Sequence, residues 1–160
     1  MKMLDVSKKE KQVIYVGRDS YEKGIDILKD IEPKINGNVV YFTDLEWKEA
    51  MSELKASSVL VVPSRIESIP QVIKEAFFLN VPVVATKVGG IPELIEHEKN
   101  GLLVDPDNSV QLVNSVNELL ENKDKATSIA HAGHDFVVKN LTWEILLPKY
   151  IKFYENLLNS

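Results

Sequence analysis

At 160 residues, 44% hydrophobic and 27% charged, the chain is long enough for one domain with its own core, and its net charge of −5 argues against a broad nucleic-acid surface. It has no cysteine, which excludes disulfides and thiolate chemistry and suits a cytoplasmic, reducing compartment. No apolar run approaches the ~18 residues of a membrane span, and the opening MKMLDVSKKEKQ lacks the apolar core of a signal peptide, so residues 1–11 are expected to form a flexible leader.

Beyond the leader, apolar runs alternate with helical patterns. Val13 to Val16, Val39 to Phe42, Val59 to Val62, Val81 to Ala85 and Leu102 to Val104 are near-continuous apolar runs, the pattern of strands covered on both faces. Gly24 to Ile35, Leu45 to Ser57 and Pro70 to Leu79 read as crossover helices. This alternation predicts an α/β fold, a parallel sheet of about five strands with right-handed crossovers and helices on both faces.

The first strand runs into VGRDSYEKG. Gly17 lets a ligand approach the backbone, and Arg18 and Lys23 set two cations beyond the strand ends, where open parallel sheets hold ligands. Arg can grip phosphate oxygens in a fork, and Lys offers a point charge on a flexible stem. Taken alone, the two also read as solvated surface cations. After the second strand, Thr43, Asp44 and Leu45 read as a cap of the second helix, because Thr and Asp favour such positions.

The most informative stretch is VLVVPSRIESIPQVIKEAFFLNVPVVATKVGGIP, from Val59 to Pro92. Glu67 and Glu75 are eight residues apart, which is not a helical contact spacing. Pro70 suits the first turn of a helix, so Glu67 belongs to the loop and Glu75 lies about one and a half turns inside the helix. Val72, Ile73, Ala76, Phe77 and Leu79 then share an apolar face, with Glu75 on its border. By residue type alone, Glu67 is a turn residue and Glu75 a solvated edge carboxylate. Asn80 ends the helix at a left-handed position.

Gly89 and Gly90 make a turn, and Pro92 with Glu93 opens a short helix. Asp105-Pro106-Asp107 spells D-x-D but follows a strand in a turn, where Asp107 or Asn108 is placed to cap the next helix. His131 and His134 are three apart on a later helix without an evident third ligand, and both read as surface residues, as does His97. Thr142 opens a final helix whose stripe holds Trp143, Leu147, Tyr150, Tyr154, Leu157 and Leu158. Pro148 should break or kink it, and its aromatics are expected in the core.

The run PSRIESIPQVIKEA resembles the E-x7-E signature of the retaining nucleotide-sugar glycosyltransferases with the GT-B fold, the group that includes glycogen synthases and phosphatidylinositol mannosyltransferases. VPVVATKVGGIPELIEHEKNGLLVDPDN resembles the segment that follows it there, and GRDSYEKG their G-R-x4-K-G element. The resemblance implies that residues 1–160 form a single Rossmann-like domain, the C-terminal donor-binding lobe of a GT-B fold. The implied reaction is hexosyl transfer from a nucleotide-diphosphate sugar to an acceptor, with retention and without a metal or other cofactor.

The same resemblance implies catalytic roles for Glu67, Arg18 and Lys23, and donor contacts from Gly17, Arg18, Lys23, Thr43, Ser68, Ile69, Pro70 and Glu75. The two cations, with amides at Gly17 and at the helix entered by Pro70, would hold the diphosphate. Glu75 would take the ribose hydroxyls, Glu67 would lie near the reacting face of the sugar, and Thr43, Asp44 and Leu45 would meet the base. Four features depart from the family pattern: Ser68 replaces the commoner glycine, Pro70 removes one amide, Asn80 stands where the family more often has glycine, and a strand-helix unit is missing before Val39. The implied partners are a nucleotide-sugar donor, an acceptor of unassigned identity, and an N-terminal lobe in the same or a separate chain, which makes this chain a fragment or a stand-alone half. Nucleic acid is not implied, and the C-terminal stripe allows self-association. Half of a sugar-nucleotide epimerase, or a non-catalytic nucleotide-binding or interaction module, stays open as an alternative. A nicotinamide dehydrogenase is disfavoured, because no G-x-G-x-x-G follows the first strand.

Overall fold

The computed structural model describes residues 6–43 and 46–158. Its five strands are β1 (Gln12–Val16), β2 (Asn38–Phe42), β3 (Val59–Val62), β4 (Val83–Thr86) and β5 (Leu102–Val104). All neighbours pair parallel, in the order β2-β1-β3-β4-β5. The apolar runs alternate between two faces, each with its own core. Val13, Val59, Val61 and Val84 face α1 (Ile25–Ile31) and α5 (Ser109–Glu121). Ile14, Leu60, Val83 and Ala85 face α2 (Trp47–Ala56), α3 (Gln71–Phe78) and α4 (Ile91–Leu94). The long α6 (Lys123–Asn140) serves both, giving Ile129 to the first core and Val137 to the second. The chain thus winds outward from β1 to β2 and then back across β1 to β3. At that reversal the loops leaving neighbouring strands diverge and open a crevice beyond the strand ends.

Local chemistry accounts for the element ends that differ from expectation. The first helix stops at Ile31 and tightens into a 3-10 turn over Glu32–Lys34, where Pro33 has no N–H to continue the ladder. The second starts at Trp47 with Glu46 at its N-cap; Thr43 lies in a bend after β2, while Asp44 and Leu45 lie outside the described residues. Pro70 takes the N-cap of α3 instead of its first helical position. At the other end of α3, Asn80 has φ of 56°, its N–H reaches the Phe77 carbonyl, and the Val81 N–H reaches that of Ala76. This closure consumes Val81, so β4 begins at Val83.

Part of the expected leader is tied down. The Lys9 N–H donates to the Ala56 carbonyl at 2.8 Å and Lys8 Nζ to the Ser57 carbonyl at 2.9 Å, so these residues cover the end of α2. The final helix, α7 (Trp143–Leu158), runs through Pro148 without ending there and has no buried residue. Its aromatics are not core residues as expected: Trp143 is 70% exposed and Tyr154 62%. No helix among the described residues is long and apolar enough to cross a membrane.

Candidate functional site

The loop leaving β1 lies directly on the chain leaving β3. Gly24 makes this possible: its φ of 67° is left-handed, and a Cβ there would overlap the Pro63 carbonyl oxygen. The close approach delivers Lys23 to Glu67 across a cleft of about 380 Å³ at the β1/β3 crevice. Lys23 Nζ donates to Glu67 Oε2 at 2.6 Å, and the two side chains are only 24% and 9% exposed. Glu67 Oε1 accepts the Ser68 N–H at 3.2 Å, and Ser64 Oγ approaches Oε2 at 3.5 Å. Glu67, read by residue type as a turn residue, is therefore a nearly buried carboxylate with donors on both oxygens.

Struts from other loops hold this backbone. Below it, the Gly90 N–H donates to the Ser68 carbonyl at 2.7 Å, and Thr86 Oγ1 donates to the Ser64 carbonyl. Gly89 is left-handed at φ of 52°, and a Cβ there would overlap the Glu67 carbonyl oxygen. To one side, the N–H groups of Arg65 and Ile66 both donate to the Glu22 carbonyl, at 2.8 and 3.2 Å. The Arg65 guanidinium forks onto Asp26 with two bonds of 2.8 Å, reaches Asp107 at 2.8 Å and the Tyr21 carbonyl at 2.9 Å, and lies 4.0 Å over the Tyr21 ring. Its hydrogen bond holds the Asp26 carboxyl below its ordinary range. Asp107, the second acid of the D-x-D, is thus a strut of this loop, and Asn108 caps α5 by accepting the Gln111 N–H at 3.0 Å.

The loop after β1 is fixed from inside. The buried Tyr15 donates its hydroxyl to the Arg18 carbonyl at 2.6 Å. Burial, then the charges of Asp19 and Glu67, push this hydroxyl up to about 12, so it stays a donor throughout the neutral range. Gly17 fits against it, since a Cβ would stand 3.1 Å from the hydroxyl. The Gly17 N–H is already given to the Phe42 carbonyl at 3.1 Å, so this residue brings closeness to the cleft and no free donor, contrary to the expectation of an amide there. Arg18 is exposed, and its side chain makes no hydrogen bond or ion pair among the described residues.

The far wall is the start of α3. Ile69, Pro70, Gln71 and Val72 line the cleft, and no side chain caps the helix. Its first-turn N–H groups and the positive end of its dipole therefore face the same space as the two cations. Glu75 stands one turn beyond Gln71, partly buried, and its Oε1 accepts the indole N–H of Trp47 at 2.8 Å. Of the residues expected from the sequence, Gly17, Arg18, Lys23, Glu67, Ile69 and Pro70 line one cleft. Ser68 is exposed on its rim loop, and Thr43, after β2, and Glu75, on α3, lie outside the lining.

Sequence reasoning missed Tyr15, Ser64, Arg65 and Trp47: the last two meet partners distant in the chain, Asp107, Asp26 and Tyr21 for Arg65 and Glu75 for Trp47, while Tyr15 and Ser64 meet Arg18 and Glu67 three residues on. Only the loop residues Pro63, Ser64 and Arg65 and the glycine pair Gly89 and Gly90 hinted at a supported turn. Among the described residues no group of three His, Cys, Asp or Glu is placed to hold a metal. His97 accepts the Leu103 N–H at 3.0 Å, and His134 lies 2.9 Å from the Phe78 carbonyl, both on the surface. A larger hollow of about 550 Å³ opens elsewhere, between Lys8 to Lys11 and α6, with a mainly apolar lining that includes Leu119, Ala126 and Ala130 and none of these acids or arginines.

A cleft with cations, helix amides and an engaged carboxylate suits an anion joined to a hydroxylated group. Comparison with known proteins supplies a family and a fold. The Glycosyl transferases group 1 family profile matches residues 3–122. An uncharacterized glycosyltransferase of Methanocaldococcus jannaschii is 30% identical over 90% of this chain and 48% of its own. A GDP-mannose-dependent phosphatidylinositol monomannoside mannosyltransferase of Mycobacterium tuberculosis is 35% identical over 55% of this chain and 23% of its own. In fold, the chain is similar to sucrose-phosphate synthase of Thermosynechococcus elongatus, with a TM-score of 0.86 at 24% identity over 94% of this chain and 46% of that one. It is also similar to HepE of Anabaena, solved in complex with UDP-glucose, with a TM-score of 0.77 at 23% identity over 95% of this chain and 50% of that one. The chain spans about half the length of the Methanocaldococcus jannaschii relative and of the two solved structures, and the mannosyltransferase match covers less still.

Proposed function

The chain belongs to the glycosyl transferases group 1 family, and from that premise we propose that it is the donor-binding lobe of a retaining glycosyltransferase. The donor is a nucleotide-diphosphate sugar. Its diphosphate lies between Arg18, Lys23 and the first amides of α3, which together stabilise the charge that grows on the leaving group. Glu75 accepts the ribose hydroxyls, and Glu67 contacts the sugar beside its reacting carbon, with Ser68 and Ile69 on the rim. Thr43 meets the edge of the base. The sugar keeps its anomeric configuration, and no metal takes part. The acceptor and the other wall of the active site belong to a second lobe, in the same polypeptide or another.

The observation that carries this reading is the 2.6 Å contact of Lys23 with Glu67, which joins the β1 loop and the β3 loop in one cleft beside the start of α3. Calorimetric titration with nucleoside diphosphates tests it, comparing the wild type with Arg18→Ala. Measurable binding is expected, weakened by about 1.5–3 kcal/mol when the charge-assisted bond is lost. Equal affinities would remove Arg18 from the site, and no binding to the wild type would overturn the donor-binding role.

A further inference from the structure

Trp47 has no task in the site as built so far, yet its position is unusual. It is the first residue of α2 and is 57% exposed, although an indole is among the costliest side chains to leave in water. The winding of the sheet puts it there. Because β2 pairs directly with β1, the helix from β2 to β3 must cross β1 on the face that α3 also covers. Ala50, Met51 and Leu54 of α2 accordingly share a core with Ile73, Ala76 and Phe77 of α3. The start of α3 lines the cleft, and one turn further on, outside the lining, Glu75 accepts the Trp47 indole N–H at 2.8 Å.

We infer that Trp47 is the nucleobase platform of this site, its ring stacking on the base while its N–H keeps the Glu75 carboxylate aimed at the ribose. The inference rests on the donor-binding reading, in which Glu75 takes the ribose hydroxyls. In a nucleotide the base is carried by the ribose carbon next to the one bearing the 2′-hydroxyl. A carboxylate gripping that hydroxyl therefore has the base close beside it, and the side chain bonded to the carboxylate here is a flat, solvent-facing indole. The indole N–H occupies Glu75 Oε1 from one side and leaves Oε2 for a ribose hydroxyl. Stacking on an aromatic face tolerates any base, since each has a π-face. Trp47 would thus raise affinity for nucleoside diphosphates as a class, and the bases would be told apart by other contacts.

The chain has two tryptophans, and Trp143 is 70% exposed on α7, so Trp143→Phe leaves Trp47 as the only indole emitter. In that background, UDP, GDP and inorganic pyrophosphate are titrated by calorimetry and by tryptophan fluorescence, with circular dichroism confirming the fold of each variant. UDP and GDP are expected to bind and quench the emission, and pyrophosphate to bind without quenching. Adding Trp47→Ala should weaken UDP and GDP roughly 10- to 100-fold and leave pyrophosphate unchanged. Trp47→Phe, which keeps a ring and loses the N–H, should fall between. Nucleoside diphosphates that bind the wild type but neither quench Trp47 nor lose affinity in Trp47→Ala overturn this inference alone. If neither UDP, GDP nor pyrophosphate binds, the donor-binding reading fails and takes this inference with it.

Discussion

Lys23 and Glu67 stand 44 residues apart in the chain and 2.6 Å apart in space, and the contact is made over a glycine: Gly24 turns left-handed against the Pro63 carbonyl and so presses one loop onto the other. The lysine and the glycine of the K-G pair thus have separate jobs. One carries charge, and the other permits the approach that places it.

Removing the lysine leaves a nearly buried carboxylate with its strongest partner gone. We predict that Lys23→Met lowers stability by about 1–3 kcal/mol, read in urea unfolding. Lys23→Met combined with Glu67→Gln should recover part of that loss, because the unpaired charge is gone as well. A double variant no better than the single one would mean that the pair contributes little.

At Gly89 both the backbone angle and the lack of space oppose a side chain. Gly89→Ala is expected to cost about 1–3 kcal/mol and to abolish nucleoside diphosphate binding, because the Glu67 backbone must move. The control is Gly37→Ala, which also meets a backbone carbonyl, that of Lys11, at the opposite end of the sheet. It should lower stability and spare binding. Equal binding losses in the two variants would show a global effect only.

Arg65 touches Tyr21, Asp26 and Asp107 from the loop that also carries Glu67, and no ligand contact is ascribed to it. Arg65→Lys keeps the charge and loses the fork that spans these partners. The expected result is several-fold weaker nucleoside diphosphate binding and a lower Tm, falling about 2–4 °C for each kcal/mol lost. Thermal scans and calorimetry on the same samples check it, and wild-type values in both would reduce the clamp to decoration.

The pH dependence follows from Tyr15. Its folded value of about 12 exceeds the value of about 10 for an unfolded tyrosine. Above about pH 10 the unfolded chain loses this proton first, so stability present below that point is lost as pH rises towards about 12. Tyr41, raised by burial and by its bond to Glu32, behaves in the same direction, so the comparison belongs in a Tyr41→Phe background. There, adding Tyr15→Phe should flatten the alkaline fall in stability, measured by urea unfolding at stepped pH. An unchanged slope would contradict the assignment.

Helix α6 closes on α3 at Gly133, where a Cβ would stand 2.6 Å from the Phe77 ring. In a helix, Gly→Ala ordinarily gains about 1 kcal/mol. Here overpacking against a fully buried ring, costing about 1–3 kcal/mol, should win, so Gly133→Ala is expected to lower Tm. A rise would show that Phe77 can give way.

What the amino-acid order determined alone was whatever depends on near neighbours. Val59–Val62 and Leu102–Val104 emerge as strands with unchanged bounds, because a run of β-branched and leucine side chains needs both faces covered wherever it lies. Asn80 ends its helix left-handed, because a short polar side chain tolerates that angle. The pairs that build the cleft were not legible in this way. Trp47 meets Glu75 across 28 residues and Arg65 meets Asp107 across 42, and such contacts exist only once the helices have chosen their faces of the sheet. The stripe of α7 makes the same point in reverse: periodicity shows that a face is apolar, but only the packed chain decides whether anything covers it.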